Sequence, residues 1–179
     1  MAASITHHQL DDPKFDIPTK LLIVVAPYYK DIAAQQVEGA KRRIEAAGAT
    51  HELVNVPGAL EIPTAIRLAS AAGFDGFVAL GCVIRGETTH YDTVCNDSSR
   101  ALTLLGLEGL CIGNGILTVE NIAQAAVRAE VAGQDKGGGA AAAAMHLIAL
   151  DRRFTKPRQG RIAPSSHHIQ IAATDQIHE

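Results

Sequence analysis

Between Lys20 and Ala26 the chain reads Lys-Leu-Leu-Ile-Val-Val-Ala, and this unbroken apolar run limits the possible folds more than any other feature. A strand with one wet face alternates polar and apolar residues. A continuous, β-branched run is instead a strand buried on both faces, as in a parallel sheet covered by helices on each side. Pro27 ends it. Over Asp31 to Ala47 the apolar positions Ala33, Val37, Ala40, Ile44 and Ala47 step by four and three, the stripe of an amphipathic helix, and Gly48 is its natural stop. The alternation then repeats. A second strand fits Thr50 to Val56 before the Pro57-Gly58 turn, and a helix starts near Glu61 or Pro63 and runs to Ala72, with Gly73 closing it. Residues 76–80 form the third strand, leading into Gly81-Cys82-Val83-Ile84-Arg85-Gly86. Thr89-His90-Tyr91-Asp92 has the spacing of a capping box, with Asp in place of Glu, and opens a helix to about Leu105. Gly109 to Gly113 reads as a fourth strand, Thr118 as the cap of a helix to about Ala132, and Lys136 as the start of an Ala-rich helix ending near Arg153. Strands alternating with helices predict an α/β three-layer sandwich: a parallel sheet of four strands with helices on both faces.

Composition narrows the function. The 179 residues make one domain, and with 4% aromatics and no tryptophan the core must come from Ala, Leu, Ile and Val. Sixteen Lys and Arg against 19 Asp and Glu leave a net charge of −3, which argues against general nucleic-acid binding. No apolar run approaches the roughly 20 residues of a membrane span, and the first residues lack a secretory pattern. Cys82, Cys95 and Cys111 are an odd, scattered set, unlike a disulfide framework or a cysteine-built metal site. A cytoplasmic protein without membrane or nucleic-acid partners is expected. Residues 1–19 read as a flexible N-terminal extension, 20–153 as the domain, and 154–179 as a mobile C-terminal extension. Arg152, Arg153, Lys156, Arg158 and Arg161 form a basic cluster, more ordinary as solvated charge than as a contact for RNA or an acidic partner. The pairs His7-His8 and His167-His168 lie in the extensions and make a poor case for metal.

In open parallel sheets ligands bind beyond the carboxyl ends of the strands. Four segments fall there by this reading: 26–29, 56–61, 82–90 and 114–118. In the third, Arg85-Gly86-Glu87-Thr88-Thr89-His90 joins a strand end to a helix start. Gly86 allows a tight bend, free amides point at an anion, Thr88 and Thr89 add hydroxyls, and an arginine can supply countercharge. Phosphate is the natural guest. His90 at that helix start is either a proton shuttle, with a reference pKa of about 6.5, or a histidine that only hydrogen-bonds. Glu61 is either an acceptor for two hydroxyls of a polyol or a first-turn acid complementing the helix dipole. Tyr28 suits stacking on a flat heterocycle, although packing is the commoner use of a lone tyrosine. Arg128, deep in a helix, is more ordinary as solvated charge. Gly113-Asn114-Gly115-Ile116-Leu117-Thr118 lacks the third glycine of a dinucleotide fingerprint, and Lys136 precedes its glycines, so neither is a familiar nucleotide loop.

Taken together, Val56-Pro57-Gly58-Ala59-Leu60-Glu61-Ile62-Pro63, Gly81 to Asp92, Asn114 to Asn121 with Gln124-Ala125, and Lys136-Gly137 resemble the lumazine synthases of riboflavin biosynthesis, in order and spacing, over residues 20 to about 153. The resemblance implies a flavodoxin-like sandwich, pentamers that in some members gather by twelves into a hollow shell of sixty chains, and possible association with riboflavin synthase. It implies condensation of 5-amino-6-ribitylaminouracil with 3,4-dihydroxy-2-butanone 4-phosphate, by steps that demand no metal or organic cofactor. By position it implies that Tyr28 stacks on the pyrimidine, that Ala59 and Glu61 hold the ribityl chain with Leu60 among the substrate contacts, and that Cys82, Val83 and Ile84 line the ring pocket. Gly86, Glu87 and Thr88 contact phosphate, Arg128 supplies its countercharge, His90 shuttles protons, and Lys136 stands near the phosphate end. Asn114, where many members carry a bulky apolar residue, and Arg128 are implied to come from an adjacent chain. A non-catalytic lumazine or flavin carrier, or a shell-forming paralogue, is the alternative; retention of His90 and Arg128 favours the enzyme.

Overall fold

The computed structural model describes residues 10–155. His7-His8, His167-His168 and the tail basic residues Lys156, Arg158 and Arg161 lie outside them, as does the C-terminal extension beyond Thr155. The element order is β1 (Lys20–Val25), α1 (Lys30–Ala46), β2 (Thr50–Asn55), α2 (Glu61–Ala69), β3 (Gly76–Ile84), α3 (His90–Leu107), β4 (Ile112–Val119), α4 (Ile122–Ala129) and α5 (Lys136–Thr155). The strands form one sheet in the order β2-β1-β3-β4, and every neighbouring pair is parallel.

Strand β1 explains its own sequence. Leu21, Ile23 and Val25 join a core with α1 and α5, while Leu22, Val24 and Ala26 join a second core with α2 and α3. Both faces are dry, so neither set of alternating positions is polar. On α1 the stripe is completed by a buried polar residue: the Gln36 amide nitrogen donates to the Gly115 carbonyl at 2.7 Å.

Three expected boundaries are corrected. Strand β4 begins at Ile112 rather than Gly109 and runs through Asn114 to Val119, and β3 extends to Ile84. Gly113, expected as the last residue of the strand, and Gly115, expected beyond it, are both inside β4, and they are glycines because α5 lies against the strand. A Cβ on Gly113 would collide with the Ala140 carbonyl, and one on Gly115 would meet Leu80 and Ala140 at under 3 Å. The small-residue face of α5 is therefore used inside the chain. Helix α4 starts after Asn121, whose carboxamide accepts from Gln124 N at 3.0 Å, whereas Thr118 pairs with Val83 inside the sheet. Finally, Thr89 makes no side-chain cap at α3, and the Asp92 carboxylate turns to Arg85 instead of completing a capping box.

Residues within 12–19 contact the domain. Asp12 pairs with Arg43 at 2.6 Å, Phe15 N donates to the Ala47 carbonyl at 2.9 Å, and buried Thr19 takes a bond from Arg152 at 2.8 Å. At the opposite end of the helix layer, Asp135 holds φ at +42° and accepts from Gly138 N at 3.0 Å, which opens α5. Gly137 lies so close to α1 that a Cβ would overlap the Gln36 carbonyl.

Candidate active site

The order of strand addition reverses between β1 and β3, because β1 leads outward to β2 while β3 leads to β4 on the other side. Beyond the carboxyl ends of those strands such a reversal leaves a crevice. Here it is a cleft of about 430 Å³, lined by the β1–α1 turn, the β2–α2 turn, the end of β3 and the start of α3. Tyr28, Ala59, Leu60, Glu61, Cys82, Val83, Ile84 and His90 all line it.

Each arrives for a local reason. After Pro27 the chain leaves β1 and presents Tyr28, 75% exposed, with its ring edge-on to Tyr29 at 5.1 Å between centroids. That contact leaves a ring face open. In the Pro57-Gly58 turn, Glu61 N donates to the Gly58 carbonyl at 3.2 Å, and a Cβ on Gly58 would come within 2.9 Å of the Glu61 Oε2. The glycine leaves the room into which the carboxylate folds back. Cys82 follows the last buried residues of β3, and burial pushes its thiol up to about 11, so it forms a neutral wall. His90 is the first residue of α3; its backbone N–H donates to the Thr88 hydroxyl at 3.4 Å, and its side chain borders the cleft.

Gly86, Glu87 and Thr88 form the exposed β3–α3 loop and do not line the cleft of the single chain. The backbone at Gly86 is outside the left-handed region, and a Cβ there would meet nothing within 4 Å, so the expected tight bend does not explain this glycine. Arg85 is not available as countercharge: its guanidinium is committed to Asp92 at 3.2 Å and Glu120 at 3.1 Å.

Asn114, Arg128 and Lys136 also stand away from the cleft. Asn114 sits in mid-strand opposite Ala79, not at the carboxyl edge where the sequence reading put it, and its Oδ1 accepts from Ile116 N at 3.0 Å. It borders a second concavity of about 460 Å³, walled by Leu102, Leu107, Leu110, Ile112, Leu147 and Leu150. Arg128, in the last turn of α4, donates to its own helix at Gln124 O (3.0 Å). Among the described residues it has no carboxylate partner. Lys136 is exposed at the first position of α5.

Sequence reasoning placed Ala26, Tyr29, Pro57 and Gly58 in strand-end segments without giving them roles, and it missed Val94 as a cleft residue. Tyr29 was within reach as the second aromatic of the same turn; burial against Ile32, Leu117 and Ala125 raises its phenol pKa, with Cys82 and Tyr28 adding to the effect. The cleft thus joins an open aromatic face, a carboxylate and an imidazole on an apolar floor. That set suits a flat, polyhydroxylated ligand and proton transfer at its edge.

The sequence profile of the 6,7-dimethyl-8-ribityllumazine synthases matches residues 18–152. A 6,7-dimethyl-8-ribityllumazine synthase of Jannaschia sp. (strain CCS1) is 54% identical over 157 residues, covering 87% of this chain and 88% of that protein. The 6,7-dimethyl-8-ribityllumazine synthase 1 of Rhizobium meliloti (strain 1021) is 54% identical over 144 residues, 76% of this chain and 94% of its own length. That of Sphingopyxis alaskensis is 51% identical over 135 residues, 75% of this chain and 96% of its own.

Proposed function

The chain belongs to the 6,7-dimethyl-8-ribityllumazine synthase family, and on that premise we propose how its residues divide the family's reaction. The enzyme is a transferase of riboflavin biosynthesis. It condenses 5-amino-6-ribitylaminouracil with 3,4-dihydroxy-2-butanone 4-phosphate to 6,7-dimethyl-8-ribityllumazine, releasing phosphate and water. The amine attacks the ketone to give an imine, phosphate is eliminated, the product tautomerises, and the second nitrogen closes the ring. Both partners are intrinsically reactive, so positioning and proton transfer account for the catalysis.

In this reading Tyr28 stacks its open face on the pyrimidine, over a floor of Cys82, Val83 and Ile84. Ala59, Leu60 and Glu61 receive the ribityl chain, the Glu61 carboxylate accepting its hydroxyls. Gly86, Glu87 and Thr88, in the loop that leads into the α3 N-terminus, hold the phosphate. His90, at the boundary of the two subsites, moves protons between the reacting nitrogen, carbonyl and leaving phosphate. Residues 20–153 form the catalytic unit. The observation that carries the assignment is the convergence of Tyr28, Glu61 and His90 on one cleft from three different strand ends.

The site is completed by a second copy of the chain in a pentamer, the neighbour contributing Asn114, Arg128 and Lys136. The apolar concavity beside Asn114 supports that assembly, because it exposes Leu107 and Leu150 at 81% and 43%. A cytoplasmic location fits a small, phosphorylated substrate and three free thiols. Mixing purified protein with both substrates and following lumazine absorbance tests the reading. Acceleration over the spontaneous reaction is expected; product binding without acceleration would replace the enzyme with a carrier.

A further inference from the structure

We propose that Arg85 is a positioning residue: it clips the loop before α3 at its base and so holds His90 at the cleft. The inference rests on the reading of His90 as the proton shuttle. Arg85 N donates to the Val119 carbonyl at 3.0 Å, so its backbone is fixed to the end of β4. From there the guanidinium reaches across. Its terminal nitrogen meets the Asp92 carboxylate at 3.2 Å, its Nε meets Glu120 at 3.1 Å, and its plane lies over the Tyr91 ring at 4.0 Å. Tyr91 and Asp92 are the two residues that follow His90 in the first turn of α3.

Among the described residues the other side-chain ties of that turn are the Tyr91 hydroxyl with Thr118 and Cys95 and the His90 N–H with the Thr88 hydroxyl. Thr89 offers it no side-chain cap, and Gly86 touches nothing that a Cβ would displace. One guanidinium therefore ties the β3 end and the β4 end to the turn that carries His90. The three charged groups are about half-exposed, between 40% and 58%, so the pairs contribute little to global stability. What a planar fork stacked on a ring supplies is direction, which a lysine cannot reproduce.

Kinetics of Arg85→Ala, Arg85→Lys, His90→Ala and the double variant Arg85→Ala/His90→Ala test this, with both substrates saturating. Arg85→Ala should lower kcat about tenfold, as expected when a catalytic group loses its alignment, without lowering the melting temperature by more than a few degrees. Arg85→Lys should fail to restore it. On the His90→Ala background the same change should alter kcat by less than about twofold, because the group it positions is gone. Additive losses, or a wild-type kcat in Arg85→Ala, would overturn the proposal. Should Arg85→Ala fail to fold, Asp92→Asn removes the other jaw at constant shape; it must show the same coupled loss, and an uncoupled or absent one refutes the clip. Full kcat in His90→Ala would instead overturn the His90 reading, whichever way Arg85 behaves.

Discussion

Replacing Arg128 by alanine should damage recognition of the phosphorylated substrate and little else. The guanidinium makes one bond to its own helix, at Gln124 O, and among the described residues it faces no carboxylate. Its removal costs the α4 C-terminus only a favourable dipole contact, about 0.3–1 kcal/mol. Against a phosphate dianion the same group makes charge-assisted bonds of about 1.5–3 kcal/mol, or roughly 10- to 150-fold in affinity. KM for the butanone phosphate, and inhibition by inorganic phosphate, should therefore weaken by that factor, while KM for the pyrimidine stays within about twofold. Subunit mixing tests where the group acts. Arg128→Ala chains carry an intact His90, and His90→Ala chains carry an intact Arg128. If each site takes His90 from one chain and Arg128 from its neighbour, co-refolding equal amounts restores about a quarter of the sites at random. If both come from one chain, none is restored. Mixed assemblies no more active than the average of the parents, or unchanged phosphate affinity in Arg128→Ala, would refute the shared site.

Glu61→Gln keeps the shape that folds over Gly58 but loses the charge-assisted bonds to hydroxyls; pyrimidine affinity should fall about tenfold with phosphate-substrate KM nearly untouched, and equal losses in steady-state kinetics would point to misfolding instead. Gly137→Ala places a Cβ against the Gln36 backbone, which no rotamer change relieves, so urea melts should show a loss at the upper end of overpacking, about 3 kcal/mol. Burial pushes Cys82 and Cys111 from 9.0 up to about 11. The folded chain then keeps protons that the unfolded chain releases, so stability falls as pH rises from 9 to 11, and Cys82→Ala/Cys111→Ala should flatten that slope in urea titrations.

The sequence displayed the sheet where a residue's neighbours in space are also its neighbours in sequence. β1 announces two dry faces, and α1 shows its stripe except at Gln36, whose partner at Gly115 is remote. It failed at β4. Gly113 and Gly115 answer to α5, some 25 to 30 residues later in the chain, and a glycine demanded by a distant backbone carries no local mark of that demand. Thr118 failed for the same reason, since its capping chemistry is overridden by pairing with Val83. The cleft residues were legible because they lie at strand ends, in the turns that follow, or at the starts of the next helices.

The residues that stood apart yield to an electrostatic argument. The lining of the cleft includes Glu61 and His90 but no lysine or arginine. Arg85, the nearest cation in sequence, is neutralised by Asp92 and Glu120. A dianionic phosphate beside Glu61 and Glu87 would face net repulsion, which backbone amides and hydroxyls alone offset poorly. On the proposed reading the countercharge is Arg128, which among the described residues pairs with no acid and lies outside the cleft. Among the described residues, the cleft of one chain offers this substrate no unpaired cation. On the proposed reading that charge arrives from a neighbouring chain, where no pattern within one sequence can display it.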